Sequence, residues 1–121
     1  MAGQFTDLAA RLRALMADSA PGMVPGEGGA LVAPWDNPAR RGERMWFGGV
    51  REGRAYVSYH LMPVYTHPAL AAKISPALRK RMQGKSCFNF KVADEVLFAE
   101  LASLTKEAAD LYAAPFELPP R

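Results

Sequence analysis

Met45-Trp46-Phe47-Gly48-Gly49-Val50-Arg51, Glu52-Gly53-Arg54 and Ala55-Tyr56-Val57-Ser58-Tyr59-His60-Leu61-Met62 follow one another through the middle of the chain. The two outer segments are rich in aromatic and β-branched side chains, which suit a pleated, half-buried surface. The short segment between them contains a glycine, so the whole stretch reads as a β-hairpin over 45–62. Gly48-Gly49 inside the first strand predicts a bulge or the close approach of another backbone. Pro63 is expected to end the second strand, because proline cannot donate to a sheet ladder. A hairpin joins antiparallel neighbours, so the sheet is expected to be antiparallel.

Downstream, Ser86-Cys87-Phe88-Asn89-Phe90-Lys91 alternates strictly and predicts a strand over 86–91. Upstream, Ala30 to Pro34 is a short apolar run that fits another. Near the N-terminus, Phe5, Leu8, Leu12, Leu15 and Met16 recur at helical spacing and predict a helix over 6–17, ended by Pro21 and Gly22. Leu97, Leu101, Leu104, Ala108 and Leu111 do the same for a helix from near Asp94 to about Tyr112. A helical turn is expected after Pro68. Ser75-Pro76 then reads as a cap followed by a first-turn proline, starting a helix to about Gln83 that Gly84 closes. Residues 20–29 and 35–42 read as loops, and Pro115, Pro119 and Pro120 keep the tail out of helix. These elements predict an α+β fold. Its antiparallel sheet of about four strands, built from the hairpin 45–62 and the strand 86–91, packs against the N- and C-terminal helices.

The 121 residues fit a single domain over 1–121, and half of them are hydrophobic, enough for one core. A single cysteine, Cys87, excludes an internal disulfide. The first twenty residues carry Asp7, Arg11, Arg13 and Asp18 at intervals and hold no uncharged apolar core of a signal peptide. No apolar run approaches the roughly 20 residues of a membrane span, so a cytoplasmic protein with no membrane partner is expected. The net charge of +3 is small and argues against a nucleic-acid partner. The Gly-rich stretches do not form a dinucleotide or P-loop pattern, and no cofactor is expected.

Alternation decides where chemistry can sit, because successive strand side chains point to opposite faces. If Phe88 and Phe90 face the helices, Cys87, Asn89 and Lys91 share the other face. On the hairpin, Val57, Tyr59 and Leu61 form the apolar set, and Tyr56, Ser58, His60 and Met62 the other. Tyr56, Ser58, His60, Cys87, Asn89 and Lys91 are therefore the candidate ligand-binding residues, on a face that Trp35 or the Gly-rich loops would turn into a pocket by covering part of it. The bland reading of the same residues is the solvated face of an antiparallel sheet. His60 and Cys87 also raise a thiol-dependent enzyme, since a nucleophilic cysteine needs a nearby base. A lone strand cysteine is more often a small packed hydrophobe. His60, His67 and Cys87 have no metal-ligand spacing, and no metal residue is assigned. The basic run Arg79-Lys80-Arg81-Met82-Gln83-Gly84-Lys85 raises an anion or RNA site, with Phe88, Phe90 and tyrosine rings nearby for stacking, but the core wants both phenylalanines and the run reads rather as a solvated short helix.

Two phrases, Tyr59-His60-Leu61-Met62-Pro63-Val64-Tyr65 and Arg81-Met82-Gln83-Gly84-Lys85-Ser86-Cys87-Phe88-Asn89-Phe90-Lys91, resemble a group of small uncharacterised bacterial proteins related to the YdhG-like domain family. The resemblance runs over roughly Met45 to Ala108 and implies an α+β fold with an antiparallel sheet. It also implies a frataxin-like iron chaperone as an alternative function. Frataxin-type proteins use an acidic ridge on their first helix and strand, whereas the first helix here carries Asp7 and Asp18 beside Arg11 and Arg13. The function expected from the residues is a non-enzymatic module that binds a small molecule or a protein through the open sheet face, with a homodimer allowed.

Overall fold

Apolar spacing and alternation become, in the computed structural model, five α-helices and six strands among the described residues, 3–116. In chain order they are α1 (Thr6–Ser19), β1 (Val24–Pro25), β2 (Leu31–Asp36), β3 (Arg44–Glu52), β4 (Val57–Leu61), α2 (Met62–Thr66), α3 (Pro68–Ala71), α4 (Pro76–Arg79), β5 (Met82–Gln83), β6 (Cys87–Phe90) and α5 (Glu95–Leu111). The strands form one sheet in the order β1-β2-β3-β4-β6-β5, with every adjacent pair antiparallel. The α+β class and the antiparallel sheet are thus as expected. The strand count is corrected from about four to six. The extra edge strands β1 and β5 are two residues long each, too short for alternation to register.

The hairpin is β3–β4, paired from Gly48↔Leu61 to Glu52↔Val57. Its turn is closed by the Gly53 amide donating to the Tyr56 carbonyl at 2.9 Å, which leaves Ala55 and Tyr56 outside the strand. The irregularity expected at Gly48-Gly49 is present: Leu31 faces Gly48 but Val32 faces Trp46, so one step along β2 answers two along β3. Phe47 is the additional residue, and it is fully buried beside Tyr112. A Cβ on Gly48 would lie 2.5 Å from the His60 carbonyl oxygen, which explains a glycine there.

Two further boundaries and one core position differ from expectation. β2 runs on through Trp35 and Asp36, which read as loop. The helix from Ser75 stops at Arg79 instead of reaching Gln83. Its N-cap is as expected, with the Leu78 amide donating to Ser75 Oγ at 3.1 Å. Two residues on, the Arg81 carbonyl already accepts the Asn89 amide at 2.8 Å, so pairing with β6 overrides local helix preference. Gly84, at φ +76°, serves the β5–β6 turn rather than a helix end. In α5, Leu111 is 41 % exposed while Tyr112, just past the helix, is fully buried and takes over the core position. The expectation for Pro119 and Pro120 lies outside the described residues.

One sheet face meets the helices. Val57, Tyr59, Leu61, Phe88 and Phe90 all point into it and are buried. α1 contributes Ala9, Leu12 and Met16, and α5 contributes Leu97, Phe98, Leu101, Leu104 and Ala108. α1 packs on both α5 and β3. Trp35 joins this side too, its indole Nε1 donating to the Tyr112 carbonyl at 2.8 Å. Among the described residues no helix is long and apolar enough to cross a membrane.

Candidate functional site

The alternation that sends Val57, Tyr59 and Leu61 inward turns Ser58 and His60 to the opposite face of β4, and β6 does the same for Cys87 and Asn89. Register then makes neighbours of them. Ser58 pairs with Asn89, and His60 pairs with Cys87. β5 adds Gln83 opposite Cys87 on the far side of β6. Among the described residues no helix packs on this face of β4, β6 and β5.

The side chains form one connected chain of hydrogen bonds. Ser58 Oγ donates to Asn89 Oδ1 at 2.8 Å, and Asn89 Nδ2 donates to Gln83 Oε1 at 2.8 Å. Tyr56, in the hairpin turn, donates its hydroxyl to the same Gln83 oxygen at 3.4 Å. Cys87 Sγ lies 3.3 Å from Asn89 Oδ1 and 3.5 Å from His60 Nε2. A thiol has one hydrogen. If it goes to Asn89 Oδ1, an acceptor, His60 Nε2 must carry a hydrogen to point at the sulfur. Trp46 stands edge-on to the His60 ring at 6.1 Å between centroids. A Cβ on Gly49 would meet the Trp46 ring at 3.4 Å and Ala30 at 3.5 Å, so both lie over this glycine. The cover at this end of the face is therefore Trp46 and Ala30, and Trp35, expected here, is on the helix side.

The ionisation of the pair is set by partial burial. Burial pushes the Cys87 thiol up, with the Ser58 hydroxyl opposing it, and pushes His60 down, helped by the charge of Arg51. Both shifts favour the neutral forms. An activated cysteine shows the opposite, a thiolate stabilised by a cation or an imidazolium.

Two shallow depressions flank Tyr56. One, of about 320 Å³, is lined by Arg51, Gly53, Arg54, Ala55, Tyr56 and Ser58. The other, of about 330 Å³, lies among Tyr56, Lys80, Arg81, Met82, Gln83, Asn89 and Lys91. Tyr56, Ser58, His60, Cys87 and Asn89 are thus brought together in one network, and Lys91 stands exposed at its rim. Gln83 was missed because the basic run was read as helix. The signal that could have placed it is Gly84 followed by the alternating 86–91 strand, a turn-and-strand pattern. Arg51 and Arg54 were missed because they belong to the hairpin turn and its approach, where charge normally means only solvent exposure.

His67 is remote from this face. Its ring contacts Tyr112 and Phe116, and Nδ1 is 2.9 Å from Thr66 Oγ1. Among the described residues no three His, Cys, Asp or Glu side chains gather in a way that could hold a metal ion. No protein-family model, curated protein or solved structure matches the chain.

Proposed function

We propose that the protein is a non-enzymatic binding module that receives its partner on the uncovered face of β4, β6 and β5. The observation that carries this reading is the Tyr56–Gln83–Asn89–Ser58 hydrogen-bond chain, laid across three adjacent strands between two depressions. Polar side chains on a plain solvated face are commonly separate and mobile. Here four side chains are held in fixed orientations by one another, which lowers the entropic cost of binding. Gln83 Nε2 and the second lone pair of the Tyr56 hydroxyl stay available for a ligand.

The YdhG-like relationship belongs to the same proposal. Its two phrases supply His60, Gln83, Cys87, Asn89 and Lys91, so the residues that carry the resemblance coincide with the site. A cytoplasmic setting is proposed with it, supported by the lone thiol of Cys87.

Thiol catalysis is the second reading, favoured by the 3.5 Å separation of Cys87 Sγ and His60 Nε2. The shifts of both groups toward their neutral forms weigh against it. The iron-chaperone alternative has the weaker support, since no donor cluster gathers among the described residues.

Chemical-shift mapping of the amide spectrum against a mixture of small polar metabolites and fragments tests the binding reading. Shifts should concentrate at residues 56–60, 81–84 and 87–91. Shifts confined to the helix-side groove of about 270 Å³ lined by Ala69, Leu70, Lys73, Glu107, Asp110 and Leu111, or the absence of any response, would count against it.

A further inference from the structure

We infer that the partner of this face is single-stranded nucleic acid, a step that rests on the open-face reading above. Five cations border the two depressions: Arg51 and Arg54 on one side of Tyr56, and Lys80, Arg81 and Lys91 on the other. Among the described residues no acidic side chain lines either depression. None of the five is ion-paired with another described residue, whereas the pairs that do form use Arg11, Arg40, Arg44 and Lys73. Glu52, next to Arg51 in sequence, turns to the helix side and accepts from Thr6 Oγ1 at 3.0 Å. The small net charge of the chain therefore understates the field at this face: the fold collects cations from three separate segments and turns Glu52 to the other side.

The geometry selects an extended ligand over a compact one. Arg51, Ser58 and Asn89 are register partners, and the Arg81 carbonyl accepts the Asn89 amide, so one row crosses four strands. Three inter-strand steps of about 4.8 Å carry that row roughly 14 Å from cation to cation. A single phosphate cannot meet both ends, but a chain carrying several can. Between the ends lie a phenol ring and two neutral amides, Asn89 and Gln83, with the largely buried Ser58 hydroxyl bracing Asn89. That is what unstacked bases use: a ring to stack on and amides for base edges, with cations for the backbone. A flat face offers nothing to insert into the major groove, so a duplex gains only the rim charges.

Fluorescence anisotropy of the full chain with a labelled, mixed-sequence, single-stranded oligonucleotide of about ten nucleotides tests this. Binding should weaken roughly twenty- to fiftyfold between about 50 and about 200 mM salt, as expected for three to four phosphate contacts. Arg51→Gln with Arg81→Gln, both exposed, should lower the salt slope by about 1.4. Tyr56→Leu should weaken binding roughly five- to a hundredfold at fixed salt. Absence of binding at the lower salt would overturn the inference. So would equal binding of duplex or heparin, or affinity unchanged by the arginine substitutions. If the oligonucleotide fails while metabolites or a protein still shift Ser58, Gln83 and Asn89, the open face stands and the nucleic-acid partner falls. If the oligonucleotide binds but shifts residues elsewhere, both fall.

Discussion

Thr105 Oγ1 accepts the phenol hydrogen of Tyr59 at 2.6 Å, across the boundary between sheet and helix. The direction follows from the hydrogen that Thr105 spends on the Leu101 carbonyl at 2.8 Å, which leaves its oxygen only as an acceptor. Both side chains are fully buried. Burial makes Tyr59 a weaker acid, pushing its pKa far above the usual phenol range.

The two partners are therefore not equivalent to remove. Tyr59→Phe leaves Thr105 still bonded to Leu101 and should cost about 0.5–1.5 kcal/mol. Thr105→Val strands a buried hydroxyl donor and should cost about 1–3 kcal/mol. Urea unfolding of both single variants and the double variant reads this directly. The double should cost less than the sum, and strict additivity would show that the pair is not coupled.

Gly48→Ala should destabilise the protein by about 1–3 kcal/mol, because the new methyl meets backbone rather than a yielding side chain. The His60 carbonyl would lie 2.5 Å away and the end of Met16 just over 3 Å, at 3.1 Å. Gly49→Ala is the control. Its Cβ would meet nothing nearer than the Trp46 ring edge at 3.4 Å. Thermal melts of the two variants should separate clearly, and a Gly48→Ala protein as stable as the parent would refute the close packing.

Cys87 should react sluggishly with thiol reagents. Its pKa is pushed up by burial, so at neutral pH the thiolate fraction is below that of an unhindered cysteine. Alkylation by iodoacetamide should be slower than that of glutathione, and His60→Ala should change the rate less than tenfold. A rate faster than glutathione that collapses in His60→Ala would restore the thiol-enzyme reading.

Stability should fall on both sides of a plateau. His60 and His67 are both depressed below their ordinary value of 6.5 by burial, with Arg51 adding to the effect at His60. Groups depressed in the folded state give stability that is present above the unfolded pKa and lost as pH falls through the folded one. The acid limb therefore begins at about 6.5 and runs downward. Cys87 is raised above its ordinary 9.0, and Tyr112 is held up to about 12 by burial, opposed by its bond to Thr66. Raised groups of this kind lose their contribution as pH climbs past the unfolded values, so the alkaline limb begins near 9. The denaturant midpoint measured from pH 4.5 to 10.5 checks both limbs. His60→Gln with His67→Gln should flatten the acid limb alone.

What was legible in the chain is the part whose signal is periodic. The inward set Val57, Tyr59, Leu61, Phe88 and Phe90 follows from alternation, and so does the outward set that makes the candidate site. The stripes of α1 and α5 follow from helical spacing. The parts that were not legible are set by partners distant in sequence. β5 exists because β6 offers it a ladder, and two residues cannot announce that. The helix that should have run to Gln83 yields to the Arg81–Asn89 bond for the same reason. Trp46 stands beside His60 on the face where Trp35 was expected, and the slipped register beside Phe47 lies in the strand that presents it. The gathering of Arg51, Arg54, Lys80, Arg81 and Lys91 is a property of topology, since no window of sequence contains them all.

The slightness of β1 and β5 has a consequence for crowded solution. A long exposed edge is a template on which further chains can add strands without end. At one border of this sheet the last strand is two residues, one of them Pro25, which has no amide hydrogen to offer. At the other, the last strand is Met82–Gln83, entered from the exposed Lys80 and Arg81 and left through the exposed Lys85. The ladder thus stops at a residue that cannot donate on one side and among like charges on the other. The protein carries its own terminators against fibrous growth, and a pair of copies would have to meet through some other surface.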